Sequence, residues 1–261
     1  MIVFPNAKIN IGLNVVEKRP DGFHNIESCF YPAPWQDALE IVEANQFSFE
    51  STGIPIPGKG NICTDAYELL KKDFDLPPIS IHLHKNIPIG AGLGGGSADG
   101  AFMLKLLNEK FSLGLDNEQL RAYAEELGSD CPFFIDNQPA FVEGTGNIFS
   151  DITIDLKGYW VVIIYPEIHV NTTGAYKGIT PNKSERSVKE VLQNSPVDKW
   201  KELVSNDFED NTDQEILKLK QDLYDKGAIY ASMTGSGSAV YGLFFHKPGI
   251  KIHTPHLIRK L

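Results

Sequence analysis

The sequence predicts an α+β protein built from two domains. Strand-period and helix-period segments mingle without regular βαβ alternation, and the pattern restarts after about residue 152. A glycine-rich run, Gly90-Ala91-Gly92-Leu93-Gly94-Gly95-Gly96-Ser97, also feeds straight into an apolar helical stretch. A doubly wound parallel sheet would need the alternation that is missing.

Ile9, Ile11, Leu13 and Val15 alternate with Lys8, Asn10, Gly12 and Asn14, the period of a half-buried strand that places Lys8 and Asn10 opposite the apolar set. Arg19-Pro20-Asp21-Gly22 is a turn signal that sets Phe23 and His24 at the entry to the next extended segment. Strands are expected near 38–49 and 79–85, and helices near 62–73 and 97–110. The following helix opens on a capping box from Asp116 to Gln119 and ends at Gly128, read as a left-handed stop. Ser129-Asp130-Cys131-Pro132 then pins Asp130 in a tight connection before Phe133-Phe134-Ile135 returns to the core. By local pattern alone Asp130 reads equally well as a helix cap.

Beyond residue 152 the pattern gives a strand at 160–165, short helices between 172 and 203, and a helix near 213–226. Strands near 228–233 and 239–245 flank a second small-residue loop, Thr234-Gly235-Ser236-Gly237-Ser238, which taken alone reads as a hairpin turn. The boundary places one domain at 1–152 and the other at 153–261.

The chain has 261 residues, 42% of them hydrophobic, enough to bury a substantial core. A formal charge of −10 opposes non-specific association with nucleic acid or an anionic membrane, so any phosphate must be captured locally. Cys29, Cys63 and Cys131 are odd in number and lack metal-ligand spacing, which reads as reduced thiols in a cytoplasmic protein. No basic region followed by an apolar stretch opens the sequence, and the longest apolar run, 160–165, is too short to span a bilayer. Asn171-Thr172-Thr173 has the form of a glycosylation acceptor, expected to be without consequence in the absence of a secretion signal. His82 and His84 share one strand face with no carboxylate or cysteine near them in sequence, which favours solvent exposure over metal binding.

The glycine run has the chemistry of a phosphate cradle. Five glycines in eight positions let main-chain N–H groups converge without Cβ interference, and the helix that follows offers unpaired amides and the positive end of its dipole. Gly90-x-Gly92-x-x-Gly95 fits the dinucleotide pattern, but Glu109, at the right distance, lies within the helix and not at a strand end. Residues 53–60 resemble a P-loop until Gly60 replaces the Mg²⁺-binding hydroxyl, and Pro55 and Pro57 remove amides such a loop needs.

Five blocks together resemble the GHMP kinase superfamily: Pro5-Asn6-Ala7-Lys8-Ile9-Asn10, Arg19-Pro20-Asp21-Gly22-Phe23-His24, the run from Pro88 to Ser97, Leu127-Gly128-Ser129-Asp130-Cys131-Pro132-Phe133-Phe134, and Thr234-Gly235-Ser236-Gly237-Ser238. The resemblance implies an N-terminal domain like ribosomal protein S5 and a ferredoxin-like C-terminal domain. It implies ATP as co-substrate with Mg²⁺, and transfer of the γ-phosphoryl group to the tertiary 2-hydroxyl of a cytidine diphosphate-linked methylerythritol. A homoserine or mevalonate type of alcohol kinase, or a non-catalytic nucleotide-binding protein, are the alternatives.

Residue by residue, the resemblance makes Lys8 and Asp130 catalytic, as cation and proton acceptor. It makes Pro88, Ile89, Gly90, Ala91, Gly92, Leu93, Gly94, Gly95, Gly96, Ser97 and Ala98 the ATP-binding run. Asn10, Phe23, His24, Thr172 and Tyr176 line the substrate site, with Phe23 stacking on cytosine and His24 addressing its polar edge. Thr234, Gly235, Ser236 and Gly237 form the second small-residue loop. Three positions depart from the family pattern: Phe23 stands where Tyr is more familiar, Ala98 replaces a common second serine, and Gly100 a common alanine. The implied state is a monomer or homodimer with small-molecule partners, no nucleic acid and no membrane. The residues do not identify the Mg²⁺ ligands, although Ser97 offers a hydroxyl.

Overall fold

The computed structural model describes residues 1–58, 60–182 and 186–261. Lys59 of the 53–60 connection, and residues 183–185 within the stretch expected to hold short helices, lie outside the described residues. The chain opens with β1 (Ile2–Val3), β2 (Asn6–Lys18), β3 (His24–Gln36), β4 (Ala38–Glu43), β5 (Ser48–Gly53), α1 (Ile62–Lys71) and β6 (Ile79–Lys85). Next come α2 (Gly95–Phe111), α3 (Asn117–Leu127), α4 (Cys131–Asp136), β7 (Ala140–Glu143) and β8 (Ile148–Asp151). The remainder is β9 (Trp160–Ile164), α5 (Thr172–Lys177), α6 (Val188–Asn194), α7 (Trp200–Leu203), α8 (Gln214–Asp225), β10 (Tyr230–Met233), β11 (Val240–Phe244) and β12 (His256–Lys260).

These elements form an α+β protein of two compact units, each assembled from separated stretches of sequence. The first comprises Met1–Ala7, Trp35–Ile89 and Gly94–Gln138; the second comprises Lys8–Pro34, Gly90–Leu93 and Pro139–Leu261.

The first unit holds a mixed sheet in the order β1-β4-β6-β5, together with α1 to α4. Alternation on β6 buries Ile79, Ile81 and Leu83 completely, while His82 and His84 on its other face both meet the Thr52 hydroxyl, at 3.1 and 3.0 Å. Leu70 of α1 and Leu104 and Leu107 of α2 add to the same unit's buried set, each such side chain contributing about 1.5–3 kcal/mol when fully removed from water. The single strand expected at 38–49 is two. β4 pairs antiparallel and β5 parallel with opposite edges of β6, so the chain must reverse between them, a crossing that residue alternation does not reveal.

The Asp116 capping box is complete: Asp116 Oδ1 accepts from Gln119 N at 2.9 Å, and Gln119 Oε1 accepts from Asp116 N at 3.0 Å. Gly128 corrects the sequence reading. It ends α3 at φ 164°, ψ 157°, extended and not left-handed. Its carbonyl accepts from Cys131 N at 3.1 Å, which turns the chain into the six-residue α4. Asp130 occupies the N-cap position of α4 but forms no side-chain cap bond. The local pattern allowed a cap, and Asp130 takes the cap position without a capping side-chain bond.

The second unit holds two sheets, β2-β3-β7-β8 and β10-β11-β9-β12. Leu13, Val15, Ile26, Val162, Ile164, Phe208, Ile216, Leu223, Met233 and Val240 form one buried cluster within it. Cys29, Cys63 and Cys131 are all free and buried, and burial raises each thiol pKa, that of Cys131 to about 11. Among the described residues, no helix is long and apolar enough to cross a membrane. Replacing Asp116 by Ala should cost about 1 kcal/mol in urea unfolding, with Asp116→Ser close to wild type, because only the loss of the acceptor strands the N-terminal amides of α3.

Candidate active site

The glycine run builds the start of α2. Gly94 caps the helix at φ 69° with no side-chain cap bond, and no acidic residue enters the first turn. The first helical bond is Ala98 N to Gly94 O at 2.9 Å. An uncapped turn of small residues at the positive end of a 17-residue helix is suited to an anion. Pro88, Ile89 and Gly94 to Ala98 belong to the first unit, and Gly90, Ala91, Gly92 and Leu93 to the second. Asp130 also belongs to the first unit and is half-buried.

In the second unit β2 is buried on both faces, where alternation predicted one. Lys8 is 4% exposed and Asn10 1%. The Lys8 ammonium donates to Asn10 Oδ1 at 2.6 Å and lies 4.4 Å from the centre of the Phe30 ring. Asn10 Nδ2 donates to Ser28 Oγ at 2.9 Å, and Ser28 Oγ donates onward to Gly12 O at 2.6 Å. The direction of this chain is fixed. Ser28 has one proton, committed to Gly12, so it meets Asn10 only as acceptor, and the Asn10 carbonyl must face the lysine.

The second small-residue loop joins β10 to β11 and packs against residues 91–92. A Cβ at Gly92, whose φ is 78°, would collide with the Thr234 carbonyl. The Thr234 hydroxyl accepts from Asn10 N at 3.0 Å and lies 3.1 Å from Gly92 O and 3.2 Å from Asn10 Oδ1, while Ala239 N donates to Ala91 O at 3.1 Å. Tyr241 OH donates to Asn10 O at 2.8 Å, so the hairpin holds both sides of Asn10's main chain. Asn206 Nδ2 steadies the loop by donating to Met233 O and Gly235 O, each at 2.9 Å.

The aromatic residues divide. Phe23 is 65% exposed, so it is no anchor of the core. Its turn is closed by Arg19 N to Phe23 O at 2.8 Å and by Phe23 N to Asp21 Oδ1 at 3.1 Å. Arg19 in turn holds the Asp21 carboxyl below its ordinary pKa through a side-chain hydrogen bond. His24 stacks on Tyr176 with ring centres 5.0 Å apart and 19° between planes, and Tyr176 meets Phe208 edge-on at 4.8 Å. Thr172, which opens α5, shares a 3.0 Å hydrogen bond with Ser236.

The second unit thus brings together Lys8, Asn10, Gly92, Thr234 and Gly235, pairs His24 with Tyr176, and pairs Thr172 with Ser236. Sequence reading missed Ser28, Tyr241 and Asn206. Ser28 and Tyr241 are single polar groups within strands and leave no motif. Asn206 carries a weak signal as the cap of the 3-10 turn at Asp207–Asn211, where its Oδ1 accepts from Phe208 N at 3.0 Å.

Comparison with known proteins settles the family. The model for the GHMP kinases N terminal domain matches residues 61–145, and that for GHMP kinases C terminal matches 201–251. The 4-diphosphocytidyl-2-C-methyl-D-erythritol kinase of Bacteroides thetaiotaomicron is 55% identical over 253 residues, spanning 94% of this chain and 92% of that protein. The chain belongs to this kinase family. A crystal structure of 4-(cytidine 5'-diphospho)-2C-methyl-D-erythritol kinase superposes with a TM-score of 0.77 at 28% identity, covering 93% of this chain and 90% of that one. The fold extends to the Methanococcus jannaschii mevalonate kinase, at a TM-score of 0.71 and 14% identity over 94% of this chain and 90% of that one. The two-domain GHMP kinase architecture implied by the sequence is the architecture present.

Ser28→Ala removes the acceptor for a buried Asn10 amide and should destabilise the protein by about 1–3 kcal/mol in urea unfolding, with Ser28→Thr recovering most of the loss. Equal stability of the Ala variant and wild type would break the chain of donors described above.

Proposed function

We propose that this protein transfers the γ-phosphoryl group of ATP to the 2-hydroxyl of 4-diphosphocytidyl-2-C-methyl-D-erythritol, giving the 2-phosphate and ADP in the non-mevalonate route to isoprenoid precursors. The observation that carries the reading is 55% identity, across 94% of the chain, with a kinase of that name. The uncapped start of α2 and the lysine held by Asn10 support it chemically.

In this reading the run from Pro88 to Ala98 receives the triphosphate through main-chain amides. Phosphoryl transfer asks little covalent chemistry of a protein, and positioning and charge stabilisation do most of the work. Asp130 accepts the proton of the substrate alcohol, and Lys8 stabilises charge at the reacting centre. Asn10 orients the Lys8 ammonium and, with Thr172 and Tyr176, lines the alcohol's site. Phe23 stacks on the cytosine, and His24, held by Tyr176, addresses its polar edge. Thr234, Gly235, Ser236 and Gly237 brace the nucleotide loop at Gly92. The Ser97 hydroxyl would be a ligand for Mg²⁺, which would supply neutralisation of the phosphate charge.

We assign residues 1–152 to the N-terminal kinase domain and 153–261 to the C-terminal one. The working protein is placed in the cytoplasm as a monomer or homodimer.

Purified protein should phosphorylate the cytidylated alcohol with Mg-ATP and leave homoserine and mevalonate untouched. Activity on either of those instead would overturn the substrate assignment. Asp130→Asn and Lys8→Ala should each lower kcat by roughly 10²-fold or more while ATP affinity stays within a few-fold, since both act at the alcohol. Phe23→Ala should raise KM for the cytidylated alcohol by the equivalent of about 1–3 kcal/mol, the scale of base stacking on an aromatic side chain. An unchanged KM would take Phe23 out of the substrate site.

A further inference from the structure

A cluster of charge with no part in the chemistry above is sealed inside the first unit. Lys85, at the end of β6, is 3% exposed, and its ammonium donates to Asp37 Oδ2 at 2.5 Å and to Asp99 Oδ2 at 2.7 Å. Asp37 and Asp99 are buried as deeply, at 1% and 2% exposure. Two carboxyl groups thus face one ammonium, and the other oxygen of Asp99 has no hydrogen-bond partner. Burial raises the Asp99 carboxyl to about 8 against the pull of Lys85. As a source of stability such a cluster is a poor choice, because well-packed apolar side chains commonly do as well or better. What the cluster fixes in place is the more informative question.

Its three members sit at both ends of the glycine run. Asp37 Oδ1 accepts from the main-chain N–H groups of Asn86 and Ile87, at 2.6 and 2.8 Å, the last residues before Pro88. Trp35 Nε1 donates to Asn86 O at 3.1 Å, and Asn86 Nδ2 donates to Gln36 O at 3.1 Å, so the peptide groups entering the run are tied on both sides. At the exit, Asp99 lies in the second turn of α2, and Lys85 draws it back to the same corner. Gly95 lies between: a Cβ there would come within 2.8 Å of Ile87 Cγ2 and 3.1 Å of Lys85 Nζ. We propose that Asp37, Lys85 and Asp99 are positioning residues for ATP, a buried clamp that fixes the entry and exit of the nucleotide loop so that its amides hold their geometry before the nucleotide arrives. The inference rests on the phosphotransfer reading above. It adds residues that touch neither substrate and act through the peptide groups they hold.

Substitutions at Asp99 separate the clamp from simple packing. Asp99→Asn keeps an acceptor for Lys85, whereas Asp99→Leu fills the space without one and leaves the Lys85–Asp37 pair neutral. Binding of a fluorescent ATP analogue reads the loop without requiring alcohol turnover, so absence of binding by wild type would sink the kinase reading itself and not only the clamp. With wild type binding, the Leu variant should lose roughly tenfold or more in affinity for the analogue and rise similarly in KM for ATP. Its KM for the cytidylated alcohol should stay within about twofold, and the Asn variant should behave like wild type in every measurement. A folded Leu variant with unchanged analogue affinity overturns the proposal, as does an equal rise in both KM values. If the Leu variant does not fold, hydrogen exchange of wild type without nucleotide decides: Asn86 and Ile87 amides should exchange as slowly as the most protected core amides, and loop-like rates would refute a preformed clamp.

Discussion

The second unit depends on one close approach of main chain to main chain. At Gly92 the backbone comes so near the Thr234 carbonyl that no side chain fits between them, and the φ of 78° there suits only glycine well. That contact joins two loops far apart in sequence and gives the Thr234 hydroxyl its position beside Asn10 and Gly92. Asn10 then faces Lys8, and the orientation of that ammonium follows from hydrogen bonds that begin in the C-terminal hairpin.

A buried amide is a useful intermediary because its two ends are chemically different. Asn10 offers an acceptor to an ammonium and a donor to a hydroxyl, and Ser28 removes the choice of which end points where. A carboxylate in its place would bind Lys8 more strongly but would add a buried charge. The neutral partner orients the ammonium without adding a second buried charge.

Much of this was legible in the sequence because it arises from local rules. The glycine run, the Asp116 capping box, the turn before Phe23 and the hairpin at Thr234 each depend on a few consecutive residues, and each takes the place its composition implies. What stayed hidden depends on partners distant in the chain. Period-two alternation marks Lys8 and Asn10 as sharing a face and implies that this face is open; Phe30, Ser28 and Thr234, distant in the chain, cover it. The reversal between β4 and β5 is fixed by pairing with β6. Gly128 misled because glycine after a helix suits both a left-handed stop and an extended exit, and the short helix that follows decides between them. Asp37, Lys85 and Asp99 form no motif because the sheet and α2 assemble them from three separate segments.

The three sulfur atoms have a practical bearing. Cys29, Cys63 and Cys131 are buried without disulfides, and their surroundings hold them protonated well above neutral pH. Alkylating reagents should find the native chain almost inert. A cysteine introduced at an exposed position such as Phe23 would then carry a reporter dye selectively, leaving the native sulfur in place.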